Sequence, residues 1–329
     1  MLDQSMNYII GDQAISLDGN SQRICYVSHA HSDHTKAVRS KGKEIIASDE
    51  TIALCGKTVQ RTNHPGIKLV RSGHVFGSTQ FVAEEDGGVF VYTGDFKLED
   101  GLTTKGAEIP KSDYLLIEGT FGSPEMVFPN REEIWGDIAK WTKEKLETGI
   151  VIFGTYSVGK SQEIIGILNQ YAGVVPFTHE KVSQISSVYN QFGANLKFIS
   201  LAKGASETPK GNFAAVVPQN LLTNNLVLGL ESAYGKRVYT ALATGWALKG
   251  WGFADRVFPL SDHADFEDIL SYVNQSSPKK IFCCHGNERV LARVLKEKGY
   301  DAMPVRELSH KFPQMTLLDS AEKIVARIL

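Results

Sequence analysis

The chain has 329 residues, 42% of them hydrophobic and 22% charged, which suits about one to three domains with a large core. Its formal charge of −2 excludes a global basic field, so any polyanion must be bound by a local groove or a metal. No secretory pattern and no membrane-spanning apolar run is present. The four cysteines lack C-x-x-C spacing, which favours reduced thiols and an intracellular, cytoplasmic location. No membrane partner is expected.

The predicted elements change in type along the chain. Up to about residue 118, "RICYVS" predicts a strand running into a His-rich loop, and "TQFVAEEDGGVFVYTGD" predicts two strands joined by a turn. Between about 125 and 250, strands alternate with helices, which predicts a parallel sheet flanked by helices. The final part returns to short strands, "RVFPLS" and "KIFCCHG", each followed by a helix. No Pro-, Gly- or Ser-rich linker separates these regions, so an insertion within a larger fold is favoured.

Ligand-type residues cluster in "SHAHSDHT", which contains His29, His31, Asp33 and His34. Imidazole and carboxylate are the groups that a divalent transition metal takes as ligands. A strand followed by a tight loop can direct His29 and His31 to one ion, while Asp33 and His34 face a second. A polar surface loop is the alternative, and the ligand-type residues that follow weigh against it.

Further residues of this kind stand at predicted strand ends. His74 lies beside glycines just before a strand, and Asp95 follows an apolar strand, where a carboxylate can bridge two metals. His263 and His285 follow two later strands. Each histidine alone is typical of the edge of a core, but together with the first cluster they indicate a metal site. The other histidines lack such settings and are assigned no role: His64, His179 and His310.

The succession H-x-H-x-D-H, G-H and G-D resembles the metallo-β-lactamase fold, which lactamases, thioesterases, lactonases and nucleases share. Three later stretches, "LLIEGTFG", "LSDHADF" and "CCHGNE", resemble the additional motifs of the β-CASP nucleases. The resemblance covers nearly the whole chain. It is nearest to the ligase-associated DNA exonucleases and to the exonuclease-like relatives of messenger-RNA 3′-end processing nucleases. The implied fold class is α/β, a metallo-β-lactamase αββα sandwich with an inserted β-CASP α/β domain.

The resemblance implies domain bounds and ligands. The lactamase domain is expected at 1–122 and 251–329, with the β-CASP insertion at 123–250. Two divalent ions are implied, Zn²⁺ or alternatively Mn²⁺. Their ligands are assigned as follows: His29, His31 and His74 to one ion, Asp33, His34 and His285 to the other, and Asp95 to both.

The resemblance also implies catalytic roles for Asp33, Glu118 and His263. His263, paired with Glu118, is expected to be the acid that protonates the leaving oxygen, and not a metal ligand. For Glu118 the alternative is a strand-end carboxylate in an ordinary salt bridge.

The stretch "GTYSVGKS" matches the phosphate-loop pattern G-x-x-x-x-G-K-[ST]. A P-loop ATPase also needs an acidic residue ending a later strand, and "NLVLGLE", ending at Glu231, is the only weak candidate. An ATPase is therefore disfavoured. Gly159, Lys160 and Ser161 are instead expected to contact a backbone phosphate of a substrate, since a strand-to-helix turn can expose N–H groups. The alternative is a turn with a solvated lysine.

The sequence thus predicts a metal-dependent nuclease acting on phosphodiester bonds of DNA or RNA, with DNA slightly favoured. By resemblance it is an exonuclease in DNA repair or RNA processing, with a DNA ligase or helicase system as a further partner. Trp246, Lys249 and Trp251 can stack a base and pair a phosphate, or simply pack in the core. The alternatives are a small-molecule hydrolase of the same fold, such as a thioesterase or lactonase, and a non-catalytic scaffold.

Overall fold

Two sheets that face each other are formed by the beginning of the chain and its later strands. The computed structural model describes residues 1–201, 209–250 and 253–308, so Trp251 and His310 lie outside the described residues. The first sheet has the order β1-β2-β3-β4-β5 and is parallel except for the hairpin of its first two strands. Its strands are β1 (Asn7–Ile10), β2 (Gln13–Leu17), β3 (Ile24–Tyr26), β4 (Glu44–Ile46) and β5 (Gln60–Arg61).

The second sheet joins strands from both parts of the chain in the order β17-β16-β9-β8-β7-β6. Its strands are β6 (Ile67–Arg71), β7 (Thr79–Glu85), β8 (Gly88–Tyr92), β9 (Tyr114–Glu118), β16 (Lys280–Cys284) and β17 (Ala302–Pro304). The predicted pair of strands around the Asp-Gly-Gly turn is the antiparallel pair of β7 and β8. The strands from β8 to β17 run parallel, so their carboxyl ends share one edge.

A third sheet, between β9 and β16 in the sequence, is wholly parallel, with the order β12-β11-β13-β10-β14-β15. Its strands are β10 (Gly149–Thr155), β11 (Phe177–Thr178), β12 (Ile199–Ser200), β13 (Ala214–Pro218), β14 (Arg237–Ala243) and β15 (Arg256–Phe258). The alternation of strands and helices therefore predicted this sheet correctly. Because β15 pairs with β14, we propose that the insertion ends near residue 260, beyond the expected bound at 250.

Helices cover the outer faces of all three sheets. The α-helices of the described residues are α1 (Asp49–Cys55), α2 (Arg131–Leu146), α3 (Lys160–Ile167), α4 (Glu180–Gln191), α5 (Asn224–Tyr234), α6 (Phe266–Ser276) and α7 (Glu288–Glu297). A π-helical turn, Leu168–Ala172, continues α3, and 3₁₀ turns occupy Ala37–Arg39, Gln219–Leu221, Gly245–Lys249 and Val305–Glu307. Among the helices described, none has the length and apolar character needed to cross a bilayer.

The cores follow from the alternation of side chains along the strands. In β9, Leu116 faces the core between the first two sheets, whereas Leu115 and Ile117 pack against α6 and α7. With the 3₁₀ turn Ala37–Arg39 and α1 on the outer face of the first sheet, the layers are helix, sheet, sheet, helix. This is the predicted αββα sandwich. In β10, Val151 likewise faces α2, α3 and α4, and Ile152 faces α5.

One predicted strand is wrong. The stretch ending at Glu231 lies in α5, because Thr223 caps the helix by accepting a hydrogen bond from the N–H of Leu226, and Gly235 ends it in a left-handed conformation. A short apolar run fits a strand and a buried helix about equally well, so the capping residues decide. Glu231 therefore cannot serve as the strand-end carboxylate of a P-loop ATPase.

Candidate metal centre

The ligand-type residues meet at the carboxyl ends of parallel strands. Asp95 follows β8, Glu118 ends β9 and His285 follows β16, and these three strands are neighbours in the second sheet. The loop after β3, in the facing sheet, carries His29 to His34. Since parallel strands end at one edge, residues distant in sequence are brought to one place by the topology alone.

Asp95 lies at the centre of a buried group of imidazoles. Its Oδ2 atom is 3.4 Å from Nε2 of His34, 3.6 Å from Nε2 of His29 and 3.7 Å from Nε2 of His74. Nδ1 of His31 is 3.1 Å from Nε2 of His74. One ligand atom from each of four residues lies within 4.8 Å of all the others: His29, His31, His74 and Asp95.

The chemistry of this group fits a divalent transition metal. Nε2 of His29 is buried and finds no hydrogen-bond partner among the described residues, although it faces Asp95. Burial, reinforced by the neighbouring imidazoles, holds the pKa of His29 and of His74 well below the usual range. Both rings are therefore neutral at physiological pH, and neutral imidazole is the form that binds a metal.

A carboxylate that sequence reasoning missed orients two of these histidines. Asp18 directly follows β2 and accepts a hydrogen bond from Nδ1 of His34 at 2.9 Å. It also accepts from the backbone N–H and the hydroxyl of Ser28, each at 2.7 Å, and from the hydroxyl of Tyr92 at 2.8 Å. The Ser28 hydroxyl lies 2.9 Å from Nδ1 of His29. The available signal was an apolar strand followed by Asp-Gly, which is typical of an ordinary turn.

The expected ligands of the second ion are more loosely arranged. Oδ2 of Asp33 is 3.6 Å from Nε2 of His34, and the Asp33 side chain is 77% exposed. The His285 ring centroid is 5.5 Å from that of His34, and its Nε2 lies 3.3 Å from the hydroxyl of Tyr92. His285 has φ +61, a left-handed conformation that turns the chain sharply at the end of β16.

His263 and Glu118 form a separate pair beside this group. Nδ1 of His263 is 3.0 Å from each carboxylate oxygen of Glu118, which also accepts a hydrogen bond from the N–H of Phe96 at 2.9 Å. Burial alone would lower the pKa of His263, but the carboxylates of Glu118 and Asp95 raise it to about 9. The ring is therefore protonated at neutral pH. Its side chain is 22% exposed and lines a pocket, where it can donate a proton.

Two pockets meet at this centre. One, of about 510 Å³, is lined by metal-site residues together with Trp246 and Arg306. The other, of about 710 Å³, lies between the first sheet's loops and the inserted domain. His31, Ser32 and Tyr156 line both, so the two pockets form one continuous groove. The larger pocket is lined by three exposed cations, Arg39, Lys57 and Lys181, and none of its described lining residues is acidic.

The aromatic stretch near residue 246 lies at this groove. Trp246 lines the smaller pocket and packs against the Phe121 ring at 4.9 Å between centroids. Nζ of Lys249 is 5.8 Å from the Trp246 ring centroid, and Trp251 is outside the described residues.

The loop "GTYSVGKS" has partners other than those expected. The Lys160 side chain is 3% exposed, and its ammonium donates to Oδ1 of Asp262 at 2.8 Å. The N–H of Gly159 donates to the side chain of Gln162, and that of Ser161 to the carbonyl of Tyr156. Groups that a phosphate would need are thus already bonded within the protein. These contacts weigh against the expected binding of a substrate phosphate by Gly159, Lys160 and Ser161.

Comparison with known proteins also indicates a metallo-hydrolase. Residues 256–304 match the family described as "Zn-dependent metallo-hydrolase RNA specificity domain". A "Probable DNA ligase" of Opitutus terrae is 33% identical over 310 residues, which are 87% of this chain and 29% of that protein. "Probable RNase MJ4" of Methanocaldococcus jannaschii is 33% identical over 285 residues, 72% of this chain and 66% of that protein.

An "RNase J-like protein" of Methanocaldococcus jannaschii is 33% identical over 115 residues, 34% of this chain and 27% of that protein. The fold and the buried site define a metallo-hydrolase with the metallo-β-lactamase fold. The chain belongs to the β-CASP family of metallo-β-lactamase nucleases. It spans less than a third of the length of the ligase and RNase J-like relatives, at 29% and 27%.

Replacing Asp18 by Asn tests its orienting role. Asn cannot accept the hydrogen bonds of His34, Ser28 and Tyr92 as a charged carboxylate does, so Zn²⁺ affinity should fall roughly 10- to 100-fold. Competition with a chromogenic chelator measures this. Asp12→Asn, an exposed carboxylate in the turn between β1 and β2, is the control. Unchanged Zn²⁺ affinity in folded Asp18→Asn would contradict the assignment.

Proposed function

We propose that this protein is a metal-dependent nuclease that hydrolyses phosphodiester bonds in a single strand of nucleic acid. The observation that carries the proposal is the continuous groove in which the metal centre adjoins a pocket lined by cations. A small ester or lactam would need only the 510 Å³ pocket, whereas the adjoining 710 Å³ adds room for further nucleotides. Basic side chains along such a groove match the phosphates of a polynucleotide.

The metal centre supplies the first part of the chemistry. His29, His31 and His74 would hold one ion and His34, Asp33 and His285 a second, with Asp95 shared. Bound divalent ions at such a site supply a nucleophile from water near neutral pH and offset the charge that develops on a phosphodiester. Two Zn²⁺ ions are proposed because the donor set is rich in imidazole, with Mn²⁺ as the alternative.

Protein groups supply the second part. His263 is protonated at neutral pH and lies at the wall of the pocket, so it can give a proton to the leaving oxygen. Glu118 holds this ring by Nδ1, which leaves Nε2 as the donating atom. Trp246 and Tyr156, both at the pocket, offer aromatic faces on which bases can stack, and Arg306 offers a cation at the rim.

Finer features of the proposal rest on resemblance. Exonuclease action, a slight preference for DNA and a ligase or helicase system as partner are suggested by the resemblance of the motifs to ligase-associated DNA exonucleases. Similarity to a protein named "Probable DNA ligase" supports the link to a ligase. The relatives named as ribonucleases favour RNA instead. Digestion of end-labelled single- and double-stranded DNA and RNA, with Zn²⁺ and Mn²⁺ varied, tests these points. Activity on a chromogenic ester or lactam, with none on any oligonucleotide, would replace the nuclease proposal by a small-molecule hydrolase.

Replacement of His263 by Ala should slow cleavage by roughly 10²–10⁴-fold, the range for loss of a general acid, while leaving Zn²⁺ content nearly intact.

The pH profile of kcat gives a second measure of the role of His263. Because His263 is protonated only below its pKa of about 9, activity should decline as the pH rises through that value. Glu118→Gln removes the carboxylate that raises this pKa, so the decline should move to lower pH. Loss of a bound ion in His263→Ala would instead make this residue a ligand.

Charge reversal in the larger pocket tests the substrate path. Lys57→Glu and Lys181→Glu should each weaken binding of a single-stranded oligonucleotide and reduce the magnitude of the salt slope by at least roughly 0.7, because each removes one phosphate contact and adds a negative charge. Lys140→Glu, on the exposed face of α2, is the matched control. If Lys57→Glu and Lys181→Glu bind the oligonucleotide as tightly as the wild type and Lys140→Glu do, this pocket is excluded from the substrate path.

A further inference from the structure

Two backbone carbonyls contact the metal centre, one in the turn Tyr156–Ser161 and one at Asp262. Nε2 of His31 lies 3.1 Å from the carbonyl oxygen of Val158, and Nδ1 of His74 lies 2.9 Å from the carbonyl oxygen of Asp262. In each ring the nitrogen on the far side from the metal site thus meets a backbone acceptor. Such a contact fixes the imidazole tautomer and leaves the other nitrogen free for a metal.

The shape of the turn aims the first of these carbonyls. Gly159 has φ +85 and ψ −76, and the N–H of Lys160 donates to the carbonyl of Val158, which together define a γ-turn. A Cβ atom on Gly159 would come within 2.4 Å of Cγ1 of Val75. Only glycine therefore fits the turn that directs the Val158 carbonyl at His31.

Lys160 holds the second carbonyl. Its buried ammonium donates to the Asp262 carboxylate at 2.8 Å, and Arg131 donates to the carbonyl of the preceding Ser261 at 2.7 Å. Arg131 is itself paired with Glu163 of α3. The loop that carries the Asp262 carbonyl and His263 is thus fixed by buried charges from the inserted domain. Because desolvation offsets much of the attraction within a buried ion pair, we assign this pair a role in geometry and not in stability.

We infer that the phosphate-loop-like turn is an outer layer of the metal centre, and that Lys160 is a positioning residue acting through Asp262 on His74 and His263. The glycine and lysine of the pattern serve this geometry and not a nucleoside triphosphate. The inserted domain thereby becomes necessary for a well-formed metal site. The inference rests on the proposed function only where catalysis is measured, because metal binding can be followed without substrate.

The test compares Lys160→Met with Lys160→Arg in the full chain. Lys160→Met should weaken Zn²⁺ binding roughly 10- to 100-fold and lower kcat, while KM and the salt slope of oligonucleotide binding stay as in the wild type. Lys160→Arg keeps a cation near Asp262 and should recover most of the Zn²⁺ affinity. Lys140→Met, on an exposed helix face, controls for loss of a lysine.

Asp262→Asn provides a second route if Lys160→Met does not fold. It keeps the backbone carbonyl but loses the ion pair, so it should show a similar loss of Zn²⁺ affinity. Combining both changes should add little to either alone, because they act through one contact. Unchanged Zn²⁺ affinity in Asp262→Asn would overturn the inference. So would a salt slope reduced by roughly 0.7–0.9 in Lys160→Met with Zn²⁺ affinity intact, the result for a direct phosphate contact. Loss of Zn²⁺ affinity in an enzyme inactive on every oligonucleotide would refute only the proposed function.

Discussion

Asp95 is buried, with 6% of its surface exposed to solvent, and its carboxylate lies among three imidazoles. The Nε2 atoms of His29, His34 and His74 all lie within 3.7 Å of its Oδ2 atom. Burial raises the pKa of this carboxyl, since its charged form has lost the stabilisation of water. A buried polar atom without a partner costs about 1–3 kcal/mol, and Nε2 of His29 finds none within the described part of the chain. A divalent cation relieves both penalties at once. The strand ends around Asp95 are arranged as such a cation requires.

Burial around Asp95 and the partner of each ring explain why neighbouring histidines differ in protonation. His29 and His74 are deeply buried among like rings and stay neutral, as metal ligands must. His263 lies beside them, with its ring centroid 4.4 Å from that of His74, yet it is paired with Glu118 and stays protonated. The two rings differ in what meets Nδ1, which is the backbone carbonyl of Asp262 for His74 and the carboxylate of Glu118 for His263. Separation of pKa values between neighbouring groups is characteristic of sites that run acid–base chemistry.

Much of the fold and the centre of the site could be predicted from sequence. Parallel strands are recognisable in the sequence as apolar runs. Because such strands end at one sheet edge, ligand-type residues directly after them, such as Asp95 and His285, lie close together. Asp18 was missed because a short hairpin strand followed by Asp-Gly is typical of any turn. The helix around Glu231 was misread because its apolar run is short and its capping residues lie outside that run.

The role of the "GTYSVGKS" turn could not be predicted for a different reason. Its contacts to His31 and, through Asp262, to His74 join residues that are over 100 positions apart, and the acceptors are backbone carbonyls. Carbonyls have no sequence signature, so only the packing of the insertion against the first two sheets reveals them. A pattern that predicts nucleotide binding in one context here serves the geometry of a metal site.

The central claim is that the Asp95 group is a metal centre. Anomalous diffraction at the zinc edge, from crystals of the wild-type protein grown with Zn²⁺, tests it most directly. We expect anomalous density bounded by His29, His31, His74 and Asp95, and its loss in Asp95→Ala crystals grown in the same way. A folded wild-type protein with no anomalous density among these side chains would contradict the account.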